Sequence, residues 1–272
     1  MPPIEPHKNH HSASEKKTVL VTGAGGQLGM TFQKHEKDYQ DLNFVFMDAK
    51  DLNITNPKDI AMVFEQIKPD YCINCAAYTN VEKAEEEPEK AFFINAEAVE
   101  YLATVCEKYN VILIHISTDY VFDGEKTTPY TIKDAPNPIN VYGKSKLQGE
   151  LNIKKSLNQY FIIRTSWLYS KEFGKNFYRT ILKKAQTKKQ LHVVDNQIGC
   201  PTDAEHLVAY ITEIIISNLQ DFGLYHFSDS QPMSWYDFAK DILEENNIQN
   251  TILIKNNNYQ SKAKRPTYSV LK

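Results

Sequence analysis

Tyr142 and Lys146 stand four residues apart in Tyr142-Gly-Lys-Ser-Lys146, a spacing that puts both side chains on one face of a helix. A free phenol titrates near about 10 and a free lysine near about 10.4, so neither is an effective acid or base alone at neutral pH. A cation one turn away favours phenolate and is expected to draw the Tyr142 pKa down, suiting it to protonate a developing alkoxide. Upstream, the stretch Ser117-Thr118-Asp119-Tyr120 supplies Thr118, whose hydroxyl can hold the same oxygen. These residue types describe carbonyl reduction. Such chemistry needs a hydride source close by.

The source is suggested near the start of the chain. The β-branched, apolar run Thr18-Val-Leu-Val-Thr22 feeds Gly23-Ala-Gly-Gly26-Gln-Leu-Gly29. Glycines at Gly23, Gly26 and Gly29 let the backbone turn tightly and approach a pyrophosphate, whose charge rests on amides at a helix N-terminus. A second apolar run, Asn43-Phe-Val-Phe-Met47, ends in Asp48. An acid about 20 residues beyond the glycines is placed to grip a ribose hydroxyl of a dinucleotide. Its carboxylate repels a 2′-phosphate and so favours NADH.

The elements that must position these groups alternate strand with helix. Asn56-Pro57 opens a helix with proline at its first position. Tyr71 to Asn74 reads as a third strand, and Val81 to Tyr109 as mostly helical. Val111 to Ile116 is a fourth strand whose near-continuous apolar character implies burial on both faces. Residues 123–140 carry Pro129, Pro136 and Pro138 and form a loop leading into the Tyr142 helix, and Tyr160 to Arg164 is a fifth strand. This βαβ alternation predicts an α/β fold, a doubly wound, Rossmann-like parallel sheet with ligands at the carboxyl ends of its strands. Gly23, Asp48, Ala76 and Thr118 all fall just past such ends. After Trp167 the pattern loosens: a basic amphipathic helix over 175–189, a strand at 191–194, a helix over 203–218, a strand at 223–227 and a helix over 234–246. The division expected is 1–17 as an extension, 18–170 as the dinucleotide-binding domain, and 171–272 as mainly a smaller, C-terminal substrate-binding region.

Composition narrows the class. A chain of 272 residues with 42% hydrophobic content can bury a full core, and a net charge of −3 invites neither nucleic acid nor an anionic membrane. No apolar run reaches membrane-spanning length, and four cysteines do not make a disulfide scaffold. A cytoplasmic enzyme fits. Cys72 and Cys75 have Cys-x-x-Cys spacing, but in a strand they point to opposite faces, so neither a redox pair nor a zinc site is expected. Residues 1–17 are polar, carry His7, His10 and His11, and lack the apolar core of a signal peptide. They read as a tag or a disordered extension, and any metal binding by these histidines as an artefact.

Six segments then follow in order: the glycine turn Gly23 to Gly29, Asn74-Cys-Ala-Ala-Tyr-Thr-Asn-Val-Glu-Lys-Ala-Glu85, Ser117 to Gly124, Pro138 to Glu150, Arg164-Thr-Ser-Trp-Leu-Tyr169, and Asp195 to Thr202. From about Thr18 to its end the chain resembles the dTDP-4-dehydrorhamnose reductase family of extended short-chain dehydrogenases/reductases. That resemblance implies reduction of a 4-keto sugar nucleotide to dTDP-L-rhamnose, with Tyr142 as proton donor. Lys146 would be its electrostatic partner and hold the nicotinamide ribose, and Thr118 would bond the reacting oxygen. Gly26, Gln27 and Leu28 would touch the pyrophosphate, Asp48, Asp51 and Leu52 the adenosine end, and Ala77, Tyr78 and Thr79 would line the cofactor. Asp119 and Trp167 would meet the sugar nucleotide.

The resemblance also implies that NADPH is accepted, so NADPH or NADH is expected, with a monomer or homodimer as the assembly. Some members dimerise through a magnesium ion held by glutamates; Glu205 matches one position, but Met30-Thr31 offers no acid near the other, so no metal is expected. Members usually continue into a further helix past a segment like Lys264-Arg-Pro-Thr-Tyr-Ser269, whereas this chain stops at Lys272. Two other readings share these residues. One is a non-catalytic NADP-binding regulatory subunit like the β subunit of methionine adenosyltransferase. The other is a reductase or epimerase of UDP-sugars.

Overall fold

A computed structural model describes residues 16–229, 231–258 and 260–272. Residues 1–15, with His7, His10 and His11, lie outside the described residues. The first strand, β1 (Lys17–Thr22), begins one residue before the expected boundary at Thr18, and the Lys17 ammonium donates to Ile215 O at 2.8 Å. β1 turns at Gly23 into α1 (Gln27–His35). Gly23 sits at φ +64°, and a Cβ there would lie 2.5 Å from the Ala76 amide nitrogen, so only glycine fits. β2 (Leu42–Met47) runs into the turn at Asp48. α2 (Pro57–Ile67) starts as read, with the Asn56 side chain accepting the Lys58 N–H, and ends on Lys68 in the left-handed region.

β3 (Tyr71–Asn74) is followed by two short helices, α3 (Val81–Ala84) and α4 (Pro88–Phe92). A π-helical turn over Phe93–Glu97 then leads into α5 (Ala98–Tyr109). β4 (Ile112–Thr118), the proline-bearing loop, α6 (Val141–Ser156) and β5 (Tyr160–Thr165) complete the alternation. Beyond it come β6 (Leu168–Tyr169), α7 (Phe177–Ala185), β7 (Gln190–Val193), β8 (Ile198–Gly199) and β9 (Thr202–Asp203). The rest is α8 (Ala204–Ile216), β10 (Gly223–Phe227), β11 (Met233–Ser234), α9 (Trp235–Glu245) and β12 (Ile252–Lys255).

The central sheet has the order β10-β5-β4-β3-β1-β2 with every pair parallel. Alternate residues of β1 explain why both faces are covered. Val19 and Val21 join Phe32 of α1 and Leu207 and Ile211 of α8, whereas Leu20 joins Ile60 and Phe64 of α2 and Leu102 of α5. Cys72 lies in the second of these clusters and Cys75 packs against the first, as opposite strand faces require. The chain reverses its direction of winding between β1 and β3. Ligands of such sheets bind at that crevice.

Two expectations change. Residues 204–227 do not belong to the smaller region: α8 covers one sheet face and β10 adds the sixth strand beside β5, so the boundary at 170 is crossed again. The helix expected over 175–189 runs Phe177–Ala185: Asn176 caps its start by accepting the Arg179 N–H, and residues 186–189 turn the chain into β7. The smaller region has its own core, in which Tyr178 and Ile181 of α7 meet Phe238 and Ile242 of α9 beside the parallel pair β7 and β12. The tail ties both regions together: Lys272 N–H donates to Tyr130 O at 2.8 Å, and Arg265 pairs with Glu82 at 2.8 Å. Among the described residues, no helix is long and apolar enough to cross a membrane.

Candidate active site

At the carboxyl ends of β1, β3, β4 and β5 lies a cleft of about 640 Å³, roofed by Trp167, Phe177 and Trp235. A second cleft of about 580 Å³ lies at the opposite, amino ends of the strands, around Lys17, Asp70 and Tyr71, and contains none of the residues singled out for chemistry. The first cleft gathers Thr118 from the end of β4, Tyr142 and Lys146 from α6, and Gly26, Gln27, Leu28 and Gly29 from the start of α1. Ala77 and Thr79, after β3, line it too, as do Asp119 and Trp167.

The glycine turn has the features an anion needs. Gly26 caps α1 without a side-chain acceptor, and the first turn carries no acid, so its amides stay available to a negative charge. Gln27 is held from the far side: its Nε2 donates to Leu168 O at 3.0 Å, and Asn176 Nδ2 donates to its Oε1 at 3.2 Å. Asp48 lies beside this turn, its Cβ 3.6 Å from where a Cβ on Gly25 would stand. The Asp48 carboxylate accepts the Lys50 N–H at 2.7 Å, and the Asp51 carboxylate accepts the Asp48 N–H at 3.1 Å. Leu52 donates its N–H to Asp48 O at 3.0 Å and buries its side chain in the core with Ile60. The sequence-predicted group therefore divides: Asp48 and Asp51 shape an exposed turn, and the Leu52 side chain faces inward.

Ala76 and Tyr78 are likewise placed by their backbones. Ala76 donates its N–H to Asn74 Oδ1 at 3.2 Å. Asn95, in the π turn, accepts the Tyr78 N–H at 2.8 Å and donates to Tyr78 O and to Ser145 Oγ. The Tyr78 phenol points away, to Glu87 Oε2 at 3.0 Å. Asn95 thus ties the segment after β3 to α6.

Around the reacting position, the Tyr142 phenol and the Thr118 hydroxyl line the same cleft, and Thr118 Oγ1 donates to Asp119 Oδ1 at 3.1 Å. Tyr120 packs edge-on against the Tyr142 ring at 5.9 Å. Burial holds the Tyr142 phenol above its usual range, and the nearby Thr118 hydroxyl only partly offsets this. The expected depression by Lys146 is therefore overturned. The lysine, 2% exposed, turns to the sheet, donating to Ile116 O at 2.7 Å and meeting His115 Nε2 at 3.2 Å. Burial pushes it down to about 8, against an opposing pull from Glu150 and Cys75. Asp119 is raised to about 7, again by burial, and its Oδ2 has no hydrogen-bond partner.

Trp167, at φ +48°, stacks face to face on Trp235 with centroids 3.4 Å apart and planes at 5°. Phe177 meets Trp235 at 4.5 Å, and Trp235 Nε1 donates to Gln197 Oε1 at 3.1 Å. Trp235 and Asn95 escaped the sequence reading. The first sits in a Ser234-x-x-Asp237 capping box that signals only a helix start; the second lies in a stretch read as plain helix. Glu205, weighed as a metal ligand, pairs with Lys34 at 2.6 Å.

Relatives share this arrangement of elements. The family described as RmlD substrate binding domain matches residues 17–272. The spore coat polysaccharide biosynthesis protein SpsK of Bacillus subtilis is 40% identical over 93% of this chain and 88% of its own length. A dTDP-4-dehydrorhamnose reductase of Aggregatibacter actinomycetemcomitans is 38% identical over 93% of this chain and 90% of its own. The crystal structure of dTDP-4-dehydrorhamnose reductase from Bacillus anthracis in complex with NADP superposes with a TM-score of 0.90 at 38% identity, covering 94% of this chain and 90% of that one.

Proposed function

The chain belongs to the RmlD substrate binding domain family, and from that premise we propose that it is an NAD(P)H-dependent reductase of the C4 keto group of dTDP-4-dehydro-6-deoxy-L-mannose, yielding dTDP-L-rhamnose. The observation that carries the reading is the convergence of Thr118, Tyr142 and Lys146 on one cleft with the open amides of α1. When bound, the nicotinamide supplies the hydride. The amides of Gln27 and Leu28 would hold the pyrophosphate, with Gly26, whose own N–H is donated to Gly23 O at 2.9 Å, letting it approach; Asp48 and Asp51 would hold the adenosine ribose, and Ala77 and Thr79 would flank the cofactor.

Each residue then has a task set by its surroundings. Burial keeps the Tyr142 phenol protonated at neutral pH, so it acts as an acid and gives its proton to the alkoxide oxygen formed at C4. Thr118, on the same cleft as that phenol, would hold the same oxygen. Lys146, titrating at about 8, carries a proton at neutral pH and lies one helical turn from the phenolate it would replenish. Asp119 and Trp167 would bind the sugar, and the aromatic roof keeps water from the reacting carbon.

Oxidation of NADPH and NADH in the presence of dTDP-4-dehydro-6-deoxy-L-mannose tests this. Wild type should turn over, and Tyr142→Phe should lose roughly 10²–10⁴-fold in kcat while still binding cofactor, the range for removing a general acid. Turnover with a UDP-linked keto sugar alone would replace the nucleotide assignment. Cofactor binding with no turnover of either sugar would replace the reductase with the regulatory-subunit reading.

A further inference from the structure

Behind Lys146 runs a line of buried polar side chains that the reduction chemistry leaves unused. Thr22, Asn74 and His115, from β1, β3 and β4, are each 0–1% exposed, and they end at the lysine ammonium. We propose that His115 is a positioning residue for Lys146: Asn74 fixes its imidazole with the proton on Nε2, so the ring offers the lysine a donor and holds it ready to release its own proton.

The hydrogen-bond pattern leaves one arrangement. The Ala76 amide can only donate, so the Asn74 atom 3.2 Å from it is the carbonyl oxygen, which also takes the Thr22 hydroxyl at 2.7 Å. Asn74 Nδ2 therefore faces His115 Nδ1, 3.0 Å away, as a donor, and that ring nitrogen must accept. A neutral imidazole accepting at Nδ1 carries its hydrogen on Nε2. Burial keeps the ring neutral, and Lys146 reinforces this. Nε2 stands 3.2 Å from Lys146 Nζ. An ammonium has only donors to offer there, so donor meets donor, whereas an amine accepts from Nε2 and still donates to Ile116 O at 2.7 Å.

Other groups facing Nζ do not reverse this. Glu150, one turn on along α6, is engaged by Arg164 at 2.6 and 2.8 Å and by Ser117 at 2.5 Å. Cys75 is a thiol kept protonated by burial, and Tyr142 lies one turn back. The inference deepens the reductase reading and rests on it. Tyr142 loses its O–H proton to the alkoxide, the proton leaving Lys146 reaches the phenolate through water in the cleft, and the amine left behind, accepting from His115, is reprotonated from solvent.

Two measurements decide it. The first needs no turnover: nitrogen-15 spectra of the full chain labelled at histidine report the His115 tautomer. The signal is identified by its loss in His115→Gln or, should that variant not fold, by its through-space contact with the Lys146 methylenes. A neutral Nε2–H ring unchanged between about pH 6 and about pH 9 is expected; an Nδ1–H ring or an imidazolium overturns the proposal while leaving the reductase reading intact. The second is the pH profile of kcat. His115→Met removes the donor and should move the alkaline limb upward by about one pH unit. His115→Gln, whose amide accepts from Asn74 and donates to Lys146, should restore the wild-type limb. A uniform loss of kcat with the limb unmoved in His115→Met assigns His115 a packing role and overturns the proposal.

Discussion

Asp119 carries a conflict between burial and ionisation within one side chain. It is 2% exposed, one carboxylate oxygen accepts from Thr118, and the other has no partner. Burial lifts its pKa to about 7, well above the value of about 3.9 expected in the unfolded chain. The folded state therefore binds this proton more tightly than the unfolded state. The stability it contributes is complete below the unfolded pKa and is lost as pH rises through about 7. Asp119→Asn, which cannot ionise, should melt above wild type at about pH 8, by roughly 2–4 kcal/mol, with the gap closing toward about pH 5. Thermal melts of both proteins at the two pH values check this. A gap that does not change with pH would mean that the carboxyl is solvated in the folded state.

α6 has to lie unusually close to its neighbours for Lys146 to reach the sheet. A Cβ on Gly149 would stand 2.2 Å from Asn95 O, inside any real contact, and the Asn95 side chain is itself bonded to Ser145 of the same helix. Gly149→Ala should push α6 off the π turn and draw Lys146 away from Ile116 and His115. The expected cost is about 1–3 kcal/mol, typical of overpacking, together with a fall in kcat larger than the change in cofactor affinity. Denaturant titration and initial rates check both, and unchanged stability would show that the turn yields. The alternation of βα units was readable because period-two and period-3.6 apolar patterns are local, and so were the glycine turn and the Tyr142–Lys146 face. The π turn was not, since Phe93 to Glu97 is an ordinary helical sequence whose extra residue is held by distant partners, Asn95 reaching Tyr78 and Ser145 and Asn152 donating to Ala96 O. His115 read as one more residue of a buried strand, because its partners come from β3 and α6. β10 read as part of the smaller region for the same reason: the edge it pairs with, β5, lies almost sixty residues back, which no local pattern can show.

The two regions of the molecule meet across the cleft, and the meeting is aromatic. Both tryptophans of the chain take part, Trp167 following β5 and Trp235 opening α9, and their rings lie parallel at 3.4 Å. Aromatic pairs prefer an offset or an edge-on geometry to full overlap, so this stack is readily opened by a planar ligand or by a shift of α9. The glycine turn is fastened elsewhere, through Gln27 to Leu168 O and to Asn176. Cofactor and sugar nucleotide should therefore act on different contacts between the regions. Two coupled indoles at this distance give a near-ultraviolet circular dichroism couplet. It should survive addition of NAD(P)H, change on addition of the sugar nucleotide, and vanish in Trp235→Phe. In Trp235→Ala the KM for the sugar nucleotide should rise about tenfold, equivalent to about 1.4 kcal/mol, with cofactor affinity nearly unchanged. A drop in kcat at constant KM would place Trp235 in the chemistry and not in the roof, and a couplet that responds to cofactor alone would show that Gln27 transmits binding across the whole cleft.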